Sequence, residues 1–326
     1  MSESFANIGY AGYGIETTEG IMVAPTIFIP ANSISFDSTN DYQTPSQLRG
    51  DRDKRVKMAS AYSVSGTMGL ELVPKGIASL LVSAFSAKGG VVSTGSYGSQ
   101  ASAYKHVFTP GNSSPTFSFE TSAADVLVMR YGGIRVNTLE IASAFNEIVT
   151  STWGLEGTTR GKQGSPTAES YDNVLPFHFT GSSVNRDGTQ LANVQNFTFS
   201  VGNNVDRRGT LRKTRSYART LLGGRDVGLT MTMDFQDTAD YDLFLAETEF
   251  ALTLHLEGDY ITGSSGVRNA LLIDIPRVGY NMVNAALTAG DFITQDVECT
   301  IVAPQAGGAI FTAQLINGES SILGAS

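Results

Sequence analysis

Histidine, tryptophan and cysteine are nearly missing from this chain. Among its 326 residues stand three histidines (His106, His178 and His255), one tryptophan (Trp153) and one cysteine (Cys299). A single cysteine excludes an intrachain disulfide and a cysteine-rich metal site, and Cys299 reads as a small buried apolar residue. With so few histidines, a nucleophile–base–orienter constellation has little to draw on, and none of the three lies in a catalytic signature. His178 in Phe177-His178-Phe179 and His255 in Leu254-His255-Leu256 alternate with apolar neighbours, as residues on the wet side of a strand do. Gly12-Tyr13-Gly14 lacks the third glycine and the preceding strand of a dinucleotide fingerprint, and no glycine-rich loop leads into a Walker-type lysine. No aspartate-rich calcium loop and no helix with paired histidines is visible. Asp240 and Asp242 stand two apart in a short helical segment, where they point to different sides and cannot act as a glycosidase pair. No enzyme, no cofactor and no metal are expected.

Long apolar runs and positive charge are scarce as well. No window approaches the roughly 18 apolar residues of a membrane span. Met1 to Tyr10 carry neither a basic nor an apolar signal region, so neither export by a signal peptide nor a membrane is expected. Against 31 acidic side chains there are 22 basic ones, a net charge of −9, which argues against a protein that grips nucleic acid by its phosphates.

What the chain does have is 41% apolar residues, enough for a core, and 35 glycines scattered with Ser, Thr, Asn and Asp between apolar runs of strand length. That texture predicts an all-β protein. The glycines at 9, 12, 14 and 20 ahead of Pro25 disfavour regular structure and suggest an extended amino-terminal arm.

Self-comparison finds an internal repeat. Ile34-Ser35-Phe36 falls on Phe197-Thr198-Phe199, 163 positions on, and the same shift carries Leu48-Arg49 onto Leu211-Arg212. It also carries Val64 onto Val227, Thr67 onto Thr230, Met68 onto Met231, Glu71 onto Asp234 and Leu80 onto Leu243. A Gly/Ser-rich insertion, Lys88 to Ala103, reads as a loop in the first copy. Beyond it, Phe117-Ser118-Phe119-Glu120 resembles Leu254-His255-Leu256-Glu257, and Gly133-Ile134-Arg135-Val136 resembles Ile275-Pro276-Arg277-Val278. The expected organisation is an arm over 1–29, a first unit over 30–160, a polar linker over 161–175 and a second unit over 176–326.

Each copy reads as strand, charged loop, strand, helix and further strands. Met68, Leu70 and Leu72 alternate with polar positions in one copy, and Leu229, Met231, Met233 and Phe235 in the other. Ile77, Leu80, Leu81, Ala84 and Phe85 form one apolar stripe of a short helix, for which the second copy offers Tyr241, Phe244 and Leu245, with Asp237 as a cap.

Three stretches resemble the tail tube proteins of long-tailed bacteriophages, in the non-contractile lineage. The first is Tyr13-Gly14-Ile15-Glu16-Thr17-Thr18-Glu19-Gly20 with Ala24-Pro25-Thr26 and Phe28-Ile29-Pro30; the second runs from Val64-Ser65-Gly66 through Glu71-Leu72-Val73-Pro74 to Gly76-Ile77 and Leu80-Leu81. The third is Pro176-Phe177, Gly188-Thr189 and Val194-Gln195-Asn196-Phe197-Thr198-Phe199, closing on Gly202-Asn203-Asn204. The resemblance implies β-barrel or sandwich units flanked by a short helix, six to a ring, with rings stacked into a hollow virion tail tube. Two units per chain then give a trimeric, pseudo-sixfold ring. The same resemblance implies self-association, contact with a tape measure protein and a tail terminator, DNA delivery through the lumen without specific binding, and assembly in the host cytoplasm.

In that setting, acidic strand residues keep DNA from sticking, and the lumen candidates are Glu71, Glu140, Asp234 and Glu298. Basic loops would reach the adjacent ring: Arg49, Arg52, Lys54, Arg55 and Lys57 in the first copy, and Arg207, Arg208, Arg212, Lys213 and Arg215 in the second. The alternative is a carbohydrate-binding or adhesin-like β-sandwich, weakened by the single tryptophan.

Overall fold

The computed structural model describes residues 9–47, 53–54, 56–95, 97–123, 126–264, 266–286 and 293–322. The first half holds β1 (Tyr10–Ile15), β2 (Ile27–Phe28), β3 (Ala31–Gln43), β4 (Met58–Glu71), α1 (Ala78–Ala84), β5 (Val91–Thr94), β6 (Tyr104–Phe108), β7 (Phe117–Ala123), β8 (Leu127–Ala144), β9 (Thr150–Gly157) and β10 (Thr159–Gln163). The second holds β11 (Ser182–Arg186), β12 (Thr189–Gln190), β13 (Val194–Gly202), β14 (Asp206–Arg208), β15 (Arg219–Leu221), β16 (Asp226–Asp234), α2 (Ala239–Leu245), β17 (Phe250–Tyr260), β18 (Arg268–Ala286), β19 (Thr294–Ile301) and β20 (Thr312–Asn317). With 54% strand and 6% helix the protein is all-β. All these strands but β14 and β15 join one antiparallel sheet, which does not close into a barrel.

The two halves pair their strands in the same order. In the first, β3 pairs β4, β4 pairs β9, β9 pairs β8, β8 pairs β7 and β7 pairs β1; in the second, the series is β13, β16, β19, β18, β17 and β11. The registers repeat too. Ile34 faces Met68 as Phe197 faces Met231, and Leu139 faces Trp153 as Val283 faces Val297. Even the irregularities correspond: β8 shifts register between Val136 and Thr138 and β18 between Tyr280 and Met282, both 144 positions on. A bulge re-aims the side chains beyond it, so a shared bulge is a strict sign of shared geometry.

The long strands β8 and β18 each serve two layers. β8 pairs β7 and β10 along its first part, then β9 and β13 along its second. At the change of layer stands Gly133, whose φ of +65° places it in the left-handed region, and a Cβ there would lie 2.1 Å from the Thr158 hydroxyl. The layers enclose one core that includes Trp153, Leu155, Phe199, Leu229 and Ile273, all buried. Phe36 stacks on Tyr131, ring centroids 4.3 Å apart, across the first half.

Several sequence expectations need correction. The glycine-rich amino-terminal segment is no free arm over its described part: β1 pairs with β7 along its whole length and buries Tyr10 and Tyr13. Glycine there serves close approach, since a Cβ on Gly12 would lie 2.8 Å from the Phe28 ring. The insertion Lys88 to Ala103 is not only loop, for β5 lies in it and pairs with β6, which in turn pairs with β20 and ties the halves together. Helix α1 is buried on every side rather than along one stripe. In α2 the expected stripe is wrong: Tyr241 and Leu245 are 44% and 64% exposed, whereas Asp240 is buried. Asp237 does accept the Ala239 N–H at 2.8 Å, the capping bond expected of it. Where the sequence matched Phe117 and Phe119 to Leu254 and Leu256, the pairing places them on Phe250 and Leu252.

Candidate assembly surfaces

Strands β3, β4, β9, the second part of β8, β13, β16, β19 and the second part of β18 lie side by side across both halves. Alternation turns their apolar residues to the core and leaves one continuous wet face. Following the register across it, Glu71 faces Thr150, then come Ala142, Thr198 and Thr230, then Glu298. One row over, Glu140 stands between Thr152 and Ser200, and Asp234 faces Thr294 beyond. All four acidic candidates therefore share a single face, though they come from four strands.

The same parity adds Asp296, exposed and bonded by the Thr232 hydroxyl at 2.8 Å, and Asp37 on β3. Sequence reading passed over both; each alternates with a core position just as Glu298 does. Between these acids the face carries mainly Ser, Thr and Gly. Among the described residues no Lys or Arg stands in the rows from Thr67 to Asp234. Basic groups begin only at the row of Glu156, which Arg207 meets at 3.1 Å and beside which Arg135 pairs with Glu19 at 3.2 Å. Burial raises the Glu156 carboxyl above its ordinary value, with the Arg207 charge opposing.

The basic loop of the second half is folded back onto the first. Arg207 donates to the Val64 carbonyl at 2.9 Å, and Arg215 donates to the Ser60 carbonyl at 2.6 Å and to Asn40 at 3.1 Å. Arg212 donates to the Tyr217 carbonyl at 2.8 Å, and Arg208 pairs with Asp206 at 3.1 Å. Lys213 stands at a positive φ of 58° between these anchors. So Arg207 and Arg215 are bound within their own chain, because the hairpin that carries them packs on β4. In the first loop, Lys57 sits over the Tyr42 ring at 3.4 Å and Lys54 is exposed, while Arg49, Arg52 and Arg55 lie outside the described residues.

The histidines occupy three different settings. His255 is half-buried on β17, as expected of a wet strand position, whereas His178 is exposed but lies in no strand and only bridges Ile148. His106 is wholly buried: Nε2–H donates to the Glu319 carbonyl at 2.8 Å and Nδ1 accepts from the Ser93 hydroxyl at 2.8 Å, a structural role. Cys299 is buried in the core, and burial, then the Glu298 charge, pushes its thiol up to about 12. Trp153 is fully buried with its Nε1–H on Ser151, which leaves it unable to stack on a sugar. Among the described residues no cluster of His, Cys, Asp or Glu has the spacing of a metal site, and no helix is long and apolar enough to cross a membrane.

A twice-repeated strand order and an acidic wet face spanning both halves define a β-rich protein. The chain belongs to the phage tail tube protein family, whose model matches residues 6–301. No curated protein matches it. Membership makes it a structural component of the virion tail that assembles with itself into a tube.

Proposed function

We propose that the chain builds the hollow tube as stacked rings of three subunits, each supplying two equivalent units to a pseudo-sixfold ring, through which DNA is delivered. The two units arise from a tandem duplication. The repeated strand order, registers and bulges favour this reading, since two equivalent units per chain are what a threefold ring needs to present six alike positions. The wet face of β4, β9, β8, β13, β16 and β19 lines the lumen. A wall bearing Glu71, Glu140, Asp234 and Glu298, with no Lys or Arg beside them on these strands among the described residues, repels phosphates, so the cargo slides and is not held. No residue performs chemistry.

Lys54, Lys57, Arg208, Arg212 and Lys213 are the described basic candidates left for contacts between rings, whereas Arg207 and Arg215 lock the second loop to the first half. A tape measure protein inside the tube and a tail terminator at its end complete the assembly, which takes place in the host cytoplasm. The observation that carries the proposal is the continuity of one acid-bearing face across both repeats. Negative-stain electron microscopy of concentrated protein, with rotational analysis of end-on rings, tests it. Hollow tubes with three chains per ring are expected. Six chains per ring would refute the pseudo-sixfold arrangement, and a monomer that never stacks would return weight to a sugar-binding surface protein.

A further inference from the structure

Ring closure leaves open which surfaces meet, and the joint between the two halves of one chain supplies a template. There, Thr198–Gly202 of β13 pair antiparallel with Ala142–Thr138 of β8. The repeat turns β13 into β3 and the second part of β8 into the second part of β18. Among the described residues, β3 pairs only with β4, and β18 beyond Val278 pairs only with β19. Each of these strands therefore keeps, among the described residues, one edge without a strand partner, at the two positions whose counterparts are joined inside the chain; on β3 the Ser38 carbonyl accepts from Arg160 at 3.1 Å. Resting on the tube reading above, we propose that β3 of one copy pairs antiparallel with β18 of the next, with Ser35 opposite Ala286, Asp37 opposite Asn284 and Thr39 opposite Met282.

Three further features agree with this joint. First, the faces match: Phe36 and Ser38 turn toward the core side of β3 as Phe199 and Val201 do on β13, so the wet face runs on unbroken into the next copy. Opposite Asp37 comes the uncharged Asn284, as the uncharged Ser200 stands opposite Glu140 inside the chain. Two carboxylates directly opposite would repel, and neither joint has them.

Second, the free edge of β3 borders an open groove of about 630 Å³, lined by Tyr10, Ile29, Ile34 and Phe36 among others. The groove beside β13 measures about 140 Å³, and there Ser143, Ala144 and Phe145 from the end of β8 stand in its lining. Third, Asn203 lies buried at the end of α1, donating to the Ala84 carbonyl at 2.8 Å and the Val136 carbonyl at 3.1 Å. Its counterpart 163 positions earlier is Asn40, which is exposed, and the counterpart of α1 is α2, whose Tyr241 and Leu245 are uncovered. In the ring, the amide N–H₂ of Asn40, whose Oδ1 accepts from Arg160 at 2.7 Å and Arg215 at 3.1 Å in its own chain, reaches the end of α2 in the next copy, and α2 becomes as covered as α1.

Pairing two free edges also removes the template for uncontrolled strand addition that each presents alone. Antiparallel neighbours alternate between close and wide pairs, so two adjacent positions should be tested. The variants are Asp37→Cys with Asn284→Cys, and Ser38→Cys with Val283→Cys; Asp37→Cys with Met282→Cys is the pair displaced by two residues. After mild oxidation of assembled protein, at least one in-register pair should give intermolecular disulfides that do not form when the protein is diluted to monomer before oxidation, and the displaced pair should give none.

Hydrogen exchange of the unmodified protein supplies a readout independent of folding variants. Segments 33–39 and 282–286 should exchange at least about tenfold more slowly in tubes than in monomer. Tubes that form normally without slowed exchange there, or that cross-link only through the displaced pair, overturn this joint while leaving the tube reading intact. Absence of any tube or ring from the unmodified protein overturns the tube reading, and this joint with it.

Discussion

Glu16 is the side chain that fastens the amino-terminal strand to the rest of the first half, and its removal has a cost that can be worked from the geometry. It is 7% exposed, and its carboxylate accepts the Gly20 N–H at 2.8 Å, the Gly133 N–H at 2.9 Å and the Ser118 hydroxyl at 2.8 Å. In Glu16→Ala the Gly133 N–H is stranded in the interior, at about 1–3 kcal/mol for an unsatisfied buried donor. The Ser118 hydroxyl can rotate and water can reach Gly20, so these add less. Against this, burial raises the Glu16 carboxyl above its ordinary value, so the charged form is disfavoured by desolvation and its removal returns part of the loss. The net expectation is about 2–3 kcal/mol of destabilisation. Glu16→Gln keeps one acceptor oxygen and turns an amide N–H₂ toward the Gly20 N–H, so it should cost about 1 kcal/mol. The raised folded value also fixes the pH dependence. As pH climbs from the ordinary carboxylate value through the folded one, the unfolded chain releases its proton first and the wild type loses stability. The Gln variant has no such loss, so its deficit narrows with rising pH. Urea unfolding of the monomer, followed by the emission of the buried Trp153, measures all three proteins. A Glu16→Ala midpoint within about 0.5 kcal/mol of wild type would refute the reasoning.

Deleting residues 1–20 should not simply clip an arm: it exposes the edge of β7 and the sites of Tyr10 and Tyr13, so the monomer should lose cooperative unfolding and become protease-sensitive. Asp240→Ala leaves the Arg186 guanidinium, bonded to it at 2.5 Å, without its carboxylate and also removes the acceptor of Gln295 at 2.9 Å. With both charges largely buried, the melting temperature should fall by the equivalent of about 3 kcal/mol, as calorimetry would show. Burial lowers the His106 value despite the opposing bond to the Glu319 carbonyl. As pH falls below about 6.5 the unfolded chain therefore binds a proton that the folded chain refuses, and stability declines. That acid-side slope should flatten in His106→Gln, and an unchanged slope would assign it to another group.

How much of this was legible in the sequence depends on the periodicity that carried each reading. Strand β4 and its counterpart β16 keep one shift of 163 across a contiguous block, and there both the core side and the register emerge correctly: Ile34 on Met68, Phe197 on Met231. Further along, the sequence match slipped by four residues at β7 and β17 and by two at β8 and β18. Both slips are even. A strand repeats every two residues, so an even displacement preserves every apolar-in, polar-out assignment and leaves pattern alone unable to detect it. The bulges in the observed pairing are what distinguish the right register. Helix α2 failed for a related reason: in seven residues almost any trio near helical spacing resembles a stripe, and the buried carboxylate of Asp240 lay just ahead of the three residues chosen.

The acidic and the basic candidates are placed differently, and the contrast has a physical cause. Glu71, Glu140, Asp234 and Glu298 sit on regular strands, where parity fixes the face and pairing then aligns the faces of neighbours, so a local reading survives into the assembled sheet. Arg207 and Arg215 sit on a loop, where no period constrains direction, and the Val64 and Ser60 carbonyls that claim them come from more than 140 positions away. Free edges are harder still. The same alternating pattern describes β3, which has no second strand neighbour among the described residues, and β13, which has one in β8. Only when the repeat is laid over the pairing does the difference acquire meaning: two positions that the fold joins once within the chain are left open once at its ends. A closed molecule would have no reason to keep such a pair, whereas a subunit that must meet the next copy of itself needs both.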